Sequence, residues 1–130
     1  MIPPLQQELS PDELVSSVRF DADGLVAAIA QDRESKRVLM LAWMNRDALV
    51  ETLATRRVCY WSRSRRRLWR KGETSGHTQE LIAIALDCDG DTLLLEVVQH
   101  GPACHTGAPT CFYRRVRPGP GETAQVKAQF

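Results

Sequence analysis

Ala83-Ile84-Ala85-Leu86-Asp87-Cys88-Asp89-Gly90-Asp91-Thr92-Leu93-Leu94-Leu95-Glu96-Val97-Val98 decides how the chain is read. Two apolar runs flank an Asp-Gly pair, a strong signal for a β-hairpin. The tip also carries three carboxylates and a thiol. Side chains on a strand alternate between faces, so Asp87 and Asp89 are expected on one face and Cys88 on the other. Thiolate and carboxylates would then serve separate sites.

A second stretch answers this tip: Gly101-Pro102-Ala103-Cys104-His105 through Thr110-Cys111-Phe112. Together the two offer three cysteines and three carboxylates, enough for two metals of different character. Thiolates suit a softer cation such as Zn²⁺, carboxylates a hard one such as Mg²⁺. Cys104 and Cys111 lack the tight Cys-x-x-Cys spacing of a zinc ribbon, so spacing alone says little. Three thiolates without an evident fourth protein ligand match a catalytic zinc that keeps a position for water. His105 fits either as a fourth ligand or as a general base beside that water. Plain packing of the thiols is the alternative, and the glycines and prolines around Cys104 argue for a loop instead. An EF-hand fails, because Thr92 and Val98 stand where its loop needs Gly and Glu. A solvated hairpin tip is the other reading of the aspartates; their mutual repulsion favours a bound cation.

Working outward, Ser10-Pro11-Asp12-Glu13 reads as a helix start with Ser as N-cap and Pro at the first position, and residues 1–20 read as a peripheral segment. Leu25 to Ala30 and Val38 to Met44 are strands of a first hairpin. Asn45 is a good N-cap, and Arg46 to Thr55 is the main helix. Arg57 to Trp61 returns to strand composition, with Cys59 as a buried, unreactive thiol. Ala108 to Val116 reads as a last short strand and residues 117–130 as a flexible tail. The expected fold is a small α+β domain, residues 21–116, of β-hairpins with one main helix.

Almost half of the 17 lysines and arginines fall between Arg56 and Lys71, followed by the small, polar Glu73-Thr74-Ser75-Gly76-His77-Thr78-Gln79. Charge beside many donors is what phosphate oxygens need; a solvated basic face is the equal alternative. Trp61 and Trp69 offer stacking surfaces for a base, or core. With 130 residues there is room for one domain with a core, and a net charge of +1 gives no global pull toward nucleic acid or anionic membrane. No apolar run is long enough to span a bilayer, and the N-terminus lacks the pattern of a signal peptide. A cytoplasmic protein is expected, in which cysteines serve as ligands, catalysts or core rather than disulfides.

The segments Leu41-Ala42-Trp43-Met44-Asn45, Tyr60-Trp61-Ser62-Arg63-Ser64-Arg65, Leu68 to His77, Asp87 to Asp91 and Gly101 to Gly107 resemble, in order, the phosphoribosyl-AMP cyclohydrolases of histidine biosynthesis. The resemblance runs from about Gly24 to Tyr113. It implies an intertwined homodimer with zinc held by Cys88 of one chain and Cys104 and Cys111 of the other, and magnesium on Asp87, Asp89 and Asp91. It implies the third step of that pathway: hydrolysis of the N1–C6 bond of 1-(5-phosphoribosyl)-AMP by the monofunctional form. His105 is the first choice to move the proton and His77 the second. Arg63, Arg65, Lys71, Ser75 and Gly76 are the phosphate candidates, with Trp61 as a stacking surface; Arg66 and Arg67 read as solvated. The competing reading, an RNA-binding or zinc-stabilised module, should be basic overall, and this chain is nearly neutral. A zinc hydrolase acting on another purine is a third.

Overall fold

The computed structural model describes residues 7–120; the first six residues of the expected peripheral segment and positions 121–130 of the expected tail lie outside them. Two helices and six strands follow one another as α1 (Pro11–Ser17), β1 (Val26–Asp32), β2 (Val38–Met44), α2 (Arg46–Thr55), β3 (Cys59–Ser62), β4 (Arg67–Arg70), β5 (Gln79–Leu86) and β6 (Thr92–Gln99). The strands form one sheet in the order β4-β3-β2-β1-β6-β5. Only β1 and β6 run parallel; the other neighbours are antiparallel. The fold class is α+β.

Both helix starts follow from their caps. Ser10 Oγ accepts from the Glu13 N–H at 3.1 Å, and the Glu13 carboxylate accepts from the Ser10 N–H at 3.2 Å, a reciprocal capping box. Asn45 Oδ1 accepts from the Ala48 N–H at 2.8 Å. Helix α2 buries Ala48, Leu49 and Thr52. The Thr52 hydroxyl accepts from the Cys59 N–H at 2.9 Å and donates to the Cys59 carbonyl at 3.2 Å, pinning β3 to the helix.

One sheet face carries the core: Val26, Ala28 and Ala30 of β1 beside Leu93, Leu95 and Val97 of β6, all buried. The opposite face is apolar yet open. Leu41 and Leu94 both stand level with Ile29 there, and are 46% and 40% exposed.

The β5–β6 hairpin forms where the Asp-Gly signal put it, as does the β1–β2 hairpin. A third, β3–β4, was hidden by the charge of Ser62 to Lys71: Tyr60 pairs with Trp69 across it, ring centroids 5.5 Å apart. The strand expected at Ala108 to Val116 does not form; the chain there is bends and irregular backbone. Pro109 has no N–H for a ladder, and β2, to which the segment is tied, already has partners on both sides. It takes isolated bonds instead, at a bulge. Ala30 pairs with Met40 and Gln31 with Val38, so Leu39 is skipped. Its carbonyl accepts from the Cys111 N–H at 2.8 Å, and the Thr110 hydroxyl donates to the Val38 carbonyl at 2.7 Å. Bulges commonly sit beside functional residues because they free backbone groups.

Candidate active site

The aspartates occupy the turn from β5 to β6. Gly90 has φ +76°, a left-handed conformation suited to glycine, and its N–H bonds the Asp87 carbonyl at 3.1 Å. The Gly90 carbonyl accepts from the Arg19 N–H at 2.7 Å, so the segment after α1 braces the tip. Asp87 Oδ1 accepts from the Asp91 N–H at 3.0 Å and the Thr92 N–H at 3.3 Å. Desolvation opposes ionisation of Asp87, but these donors outweigh it and hold its carboxyl below the ordinary value. Oxygens of Asp87, Asp89 and Asp91 lie within 4.8 Å of one another, all three residues exposed. That is a donor set of hard oxygens with the spacing a divalent cation needs.

Cys88 is not set apart from them by strand alternation. Residues 87–91 form a turn, and the Cys88 thiol lies 3.7 Å from Asp89 Oδ1. The period-two argument fails because the ladder ends at Leu86 and resumes at Thr92.

Cys104 and Cys111 meet at the other end of the sheet. The Cys104 N–H donates to the Ala108 carbonyl at 3.1 Å, the Gly107 N–H donates to the Cys104 carbonyl at 3.0 Å, and the Thr106 hydroxyl donates to Cys104 Sγ at 3.0 Å. The Thr106 donors and the neighbouring Cys111 thiol pull the Cys104 thiol below its ordinary value. Cys111 is pushed up by desolvation of its sulfur and by Cys104, although the residue as a whole is exposed. Lys71 reaches the same place: its ammonium donates to the Ala103 carbonyl, and its charge acts on both sulfurs. Partial burial lowers the Lys71 value, and the thiol pair works against that.

The separation of the two groups can be estimated. Cys88 precedes Thr92, which is level with Ala27 near the start of β1; Cys111 is tied to Leu39, near the Ala30–Gln31 level. Three residues at about 3.3 Å and two strand spacings of about 4.8 Å put them on the order of 15 Å apart. Among the described residues, the three aspartates are the one group of three or more such side chains close enough to share an ion. One chain thus brings Cys104 to Cys111 but leaves Cys88 with the aspartates.

The histidines lie at the thiol end. Gly72 to His77 is a tight turn, with the Gly76 N–H on the Gly72 carbonyl at 2.8 Å and the His77 N–H on Ser75 Oγ at 3.2 Å. It lays the His77 ring on Gly101, where an added Cβ would come within 2.5 Å of His77 Cδ2. His105 is exposed in the turn that holds Cys104.

The expected phosphate ligands divide between the ends. Trp61 and Arg63 line a cavity of about 340 Å³ with Leu25, Asn45 and Arg66, on the aspartate side, and the Arg63 guanidinium stands 4.9 Å from the Trp43 ring. Arg65 is exposed in the β3–β4 turn. Lys71, Ser75 and Gly76 lie at the thiol end, beyond the far end of that hairpin. A second cavity, about 400 Å³, lies beside His77 and Gly101 and is lined by Arg56, Arg57, Thr78, Glu80 and His100 among others. The sequence reading did not single out these groups; their signal was only the Arg-Arg pair closing α2.

The family model for phosphoribosyl-AMP cyclohydrolase matches residues 40–113. Phosphoribosyl-AMP cyclohydrolase 2 of Pseudomonas fluorescens is 60% identical over 116 residues, covering 89% of this chain and 79% of the relative. The Rhodospirillum rubrum phosphoribosyl-AMP cyclohydrolase is 62% identical over 115 residues, 88% of this chain and 80% of the relative. That of Rhodospirillum centenum is 64% identical over 108 residues, 83% and 81%. On this likeness, which spans both the aspartate turn and the thiol loop, the chain belongs to the phosphoribosyl-AMP cyclohydrolase family.

Proposed function

We propose that the chain hydrolyses the N1–C6 bond of 1-(5-phosphoribosyl)-AMP, the third step of histidine biosynthesis, as a homodimer with two sites completed across the subunit interface. In each, Cys88 of one subunit joins Cys104 and Cys111 of the partner subunit to hold zinc, and Asp87, Asp89 and Asp91 hold magnesium. The observation that carries this reading is the placement of Cys88 and the Cys104–Cys111 pair at opposite ends of one sheet. A two-fold axis brings unlike ends of two copies together twice. The open apolar face around Leu41 and Leu94, and the 57% exposed Phe112, suit burial against a second copy.

The donor chemistry fits both ions: thiols for zinc, clustered carboxylate oxygens for magnesium. When bound, zinc supplies a Lewis acid that makes water a nucleophile near neutral pH, and magnesium neutralises and orients substrate oxygens. The residues do the rest. Water oxygen bonds to C6, the N1–C6 bond breaks, and the two protons of water end on N1 and on the exocyclic nitrogen, so that C6 stays on the five-membered ring as the carbon of a carboxamide. His105, next to Cys104 and open to solvent, accepts or relays the proton; His77, packed on Gly101, is the second candidate. Arg63 and Arg65 serve one phosphate, while Ser75 and Gly76 serve the other from the opposite end of the partner. Trp61 offers its ring to the base. The protein works in the cytoplasm; among the described residues no helix is long and apolar enough to cross a membrane.

The test is ring opening of phosphoribosyl-AMP followed by ultraviolet absorbance, using metal-stripped protein with zinc and magnesium restored separately. Turnover that needs both ions supports the reading; a folded, zinc-loaded dimer that leaves this substrate intact overturns it.

A further inference from the structure

Lys71 stands at the end of the basic stretch, yet its side chain leaves the arginines. Its backbone N–H donates to the Val58 carbonyl at 3.1 Å, which fixes the chain as it departs β4. The ammonium lies 5.3 Å from the Trp69 ring centroid and donates to the Ala103 carbonyl. That carbonyl and the Cys104 N–H belong to one peptide group, and the N–H is itself held by the Ala108 carbonyl at 3.1 Å. The plane preceding Cys104 is thus gripped on both edges, and the direction of the Cys104 Cα–Cβ bond follows from it. Ala103 is buried, with 1% exposure, so its carbonyl would lose its partner without gaining water if Lys71 were shortened.

The charges point the same way. Three thiolates on a divalent cation carry one net negative charge, and the Lys71 cation acts on both Cys104 and Cys111. A partner that fixes a ligand and balances its charge is what an outer shell does for a metal, and losing one typically weakens metal binding about 10–100-fold.

We infer that Lys71 is a positioning residue for the thiol pair, locking the Ala103–Cys104 peptide and neutralising the thiolate site, rather than a ligand of substrate phosphate. The inference rests on the zinc reading above. It is tested by comparing wild-type protein, Lys71→Met and Lys71→Arg in three measurements: zinc affinity by competition with a chromophoric chelator, KM at saturating zinc, and melting of the metal-free protein. Lys71→Met is expected to bind zinc at least tenfold more weakly, with KM within twofold of wild type, and to lower the metal-free melting temperature modestly because the buried Ala103 carbonyl loses its donor. Lys71→Arg, which keeps the cation and donors, should recover most of the affinity. Zinc affinity within twofold of wild type in Lys71→Met, with KM raised tenfold, would overturn the inference and return Lys71 to the phosphate. If Lys71→Met does not fold, Lys71→Gln takes its place under the same criteria: zinc bound at least tenfold more weakly at constant KM supports the role, and zinc affinity within twofold of wild type, whatever KM does, refutes it. Wild-type protein that binds no zinc would remove the metal reading and this inference together.

Discussion

The opposite-end placement of the thiols makes a quantitative prediction about mixed subunits. Cys88→Ala removes one ligand from each site of a homodimer, and Cys104→Ala removes another, so each variant alone should be inactive. When the two are coexpressed or refolded together, random pairing makes about half of the dimers mixed. In a mixed dimer, one site lacks both Cys88 and Cys104. The other combines the intact Cys88 of the Cys104→Ala chain with the intact Cys104 and Cys111 of the Cys88→Ala chain. One good site of two, in half of the dimers, gives about a quarter of wild-type turnover. The assay is ring opening of phosphoribosyl-AMP at saturating zinc and magnesium, with subunit mixing verified by native mass spectrometry. If all three thiols served one chain's own site, every site in the mixture would lack a ligand and activity would stay at background. Background activity from verified mixed dimers would therefore refute the cross-subunit geometry, whatever the metal content.

Other perturbations address single parts. Asp89→Asn should leave zinc content near wild type while lowering activity by tenfold or more or removing its magnesium dependence, since one charged donor of the cluster is gone; zinc lost along with magnesium would mean that the sites are one. Gly101→Ala forces a Cβ to within 2.5 Å of the His77 ring at φ +80°; if His77, the second candidate, moves the proton, its displacement is expected to lower kcat by about tenfold to a hundredfold. A Gly101→Ala protein with native circular dichroism and unchanged kcat would exclude His77 as a participant. Thr52→Val keeps the shape of a buried side chain but leaves the Cys59 N–H and carbonyl without their partner, so urea unfolding should show a loss of about 1–3 kcal/mol, with zinc affinity unchanged.

Much of this was legible in the chain. The Asp-Gly turn, the Asn45 cap and the Ser10 cap are local signals, and local hydrogen bonds honour them. What was illegible depended on distance or on competing signals. The charge between Ser62 and Lys71 drew attention to phosphates and hid the pairing of Tyr60 with Trp69. Alternation was extended through Asp87 and Cys88, where the backbone had already turned. Nothing in the periodicity of β1 or β6 announces that they pair in parallel; the length of β6 itself separates the aspartate turn at its start from the Cys104 loop beyond its end. Lys71 was grouped with the arginines by proximity in sequence, whereas its ammonium is held 32 positions away, at Ala103.

That parallel pairing also shapes how the protein comes into being. Ala27 meets Thr92, about 65 residues later in the chain, so the central seam of the sheet cannot close until nearly the whole domain has left the ribosome. Ordering so long a loop is entropically costly and slow, and it places the folding barrier on a non-local contact. Cys104 and Cys111 emerge later still, after all six strands. In small zinc domains, capture of the ion and acquisition of structure are a single event. On the zinc reading proposed above this chain would differ: Cys104 and Cys111 lie outside all six strands, so the ladders and the buried core of the sheet make no use of the thiols that would hold the ion.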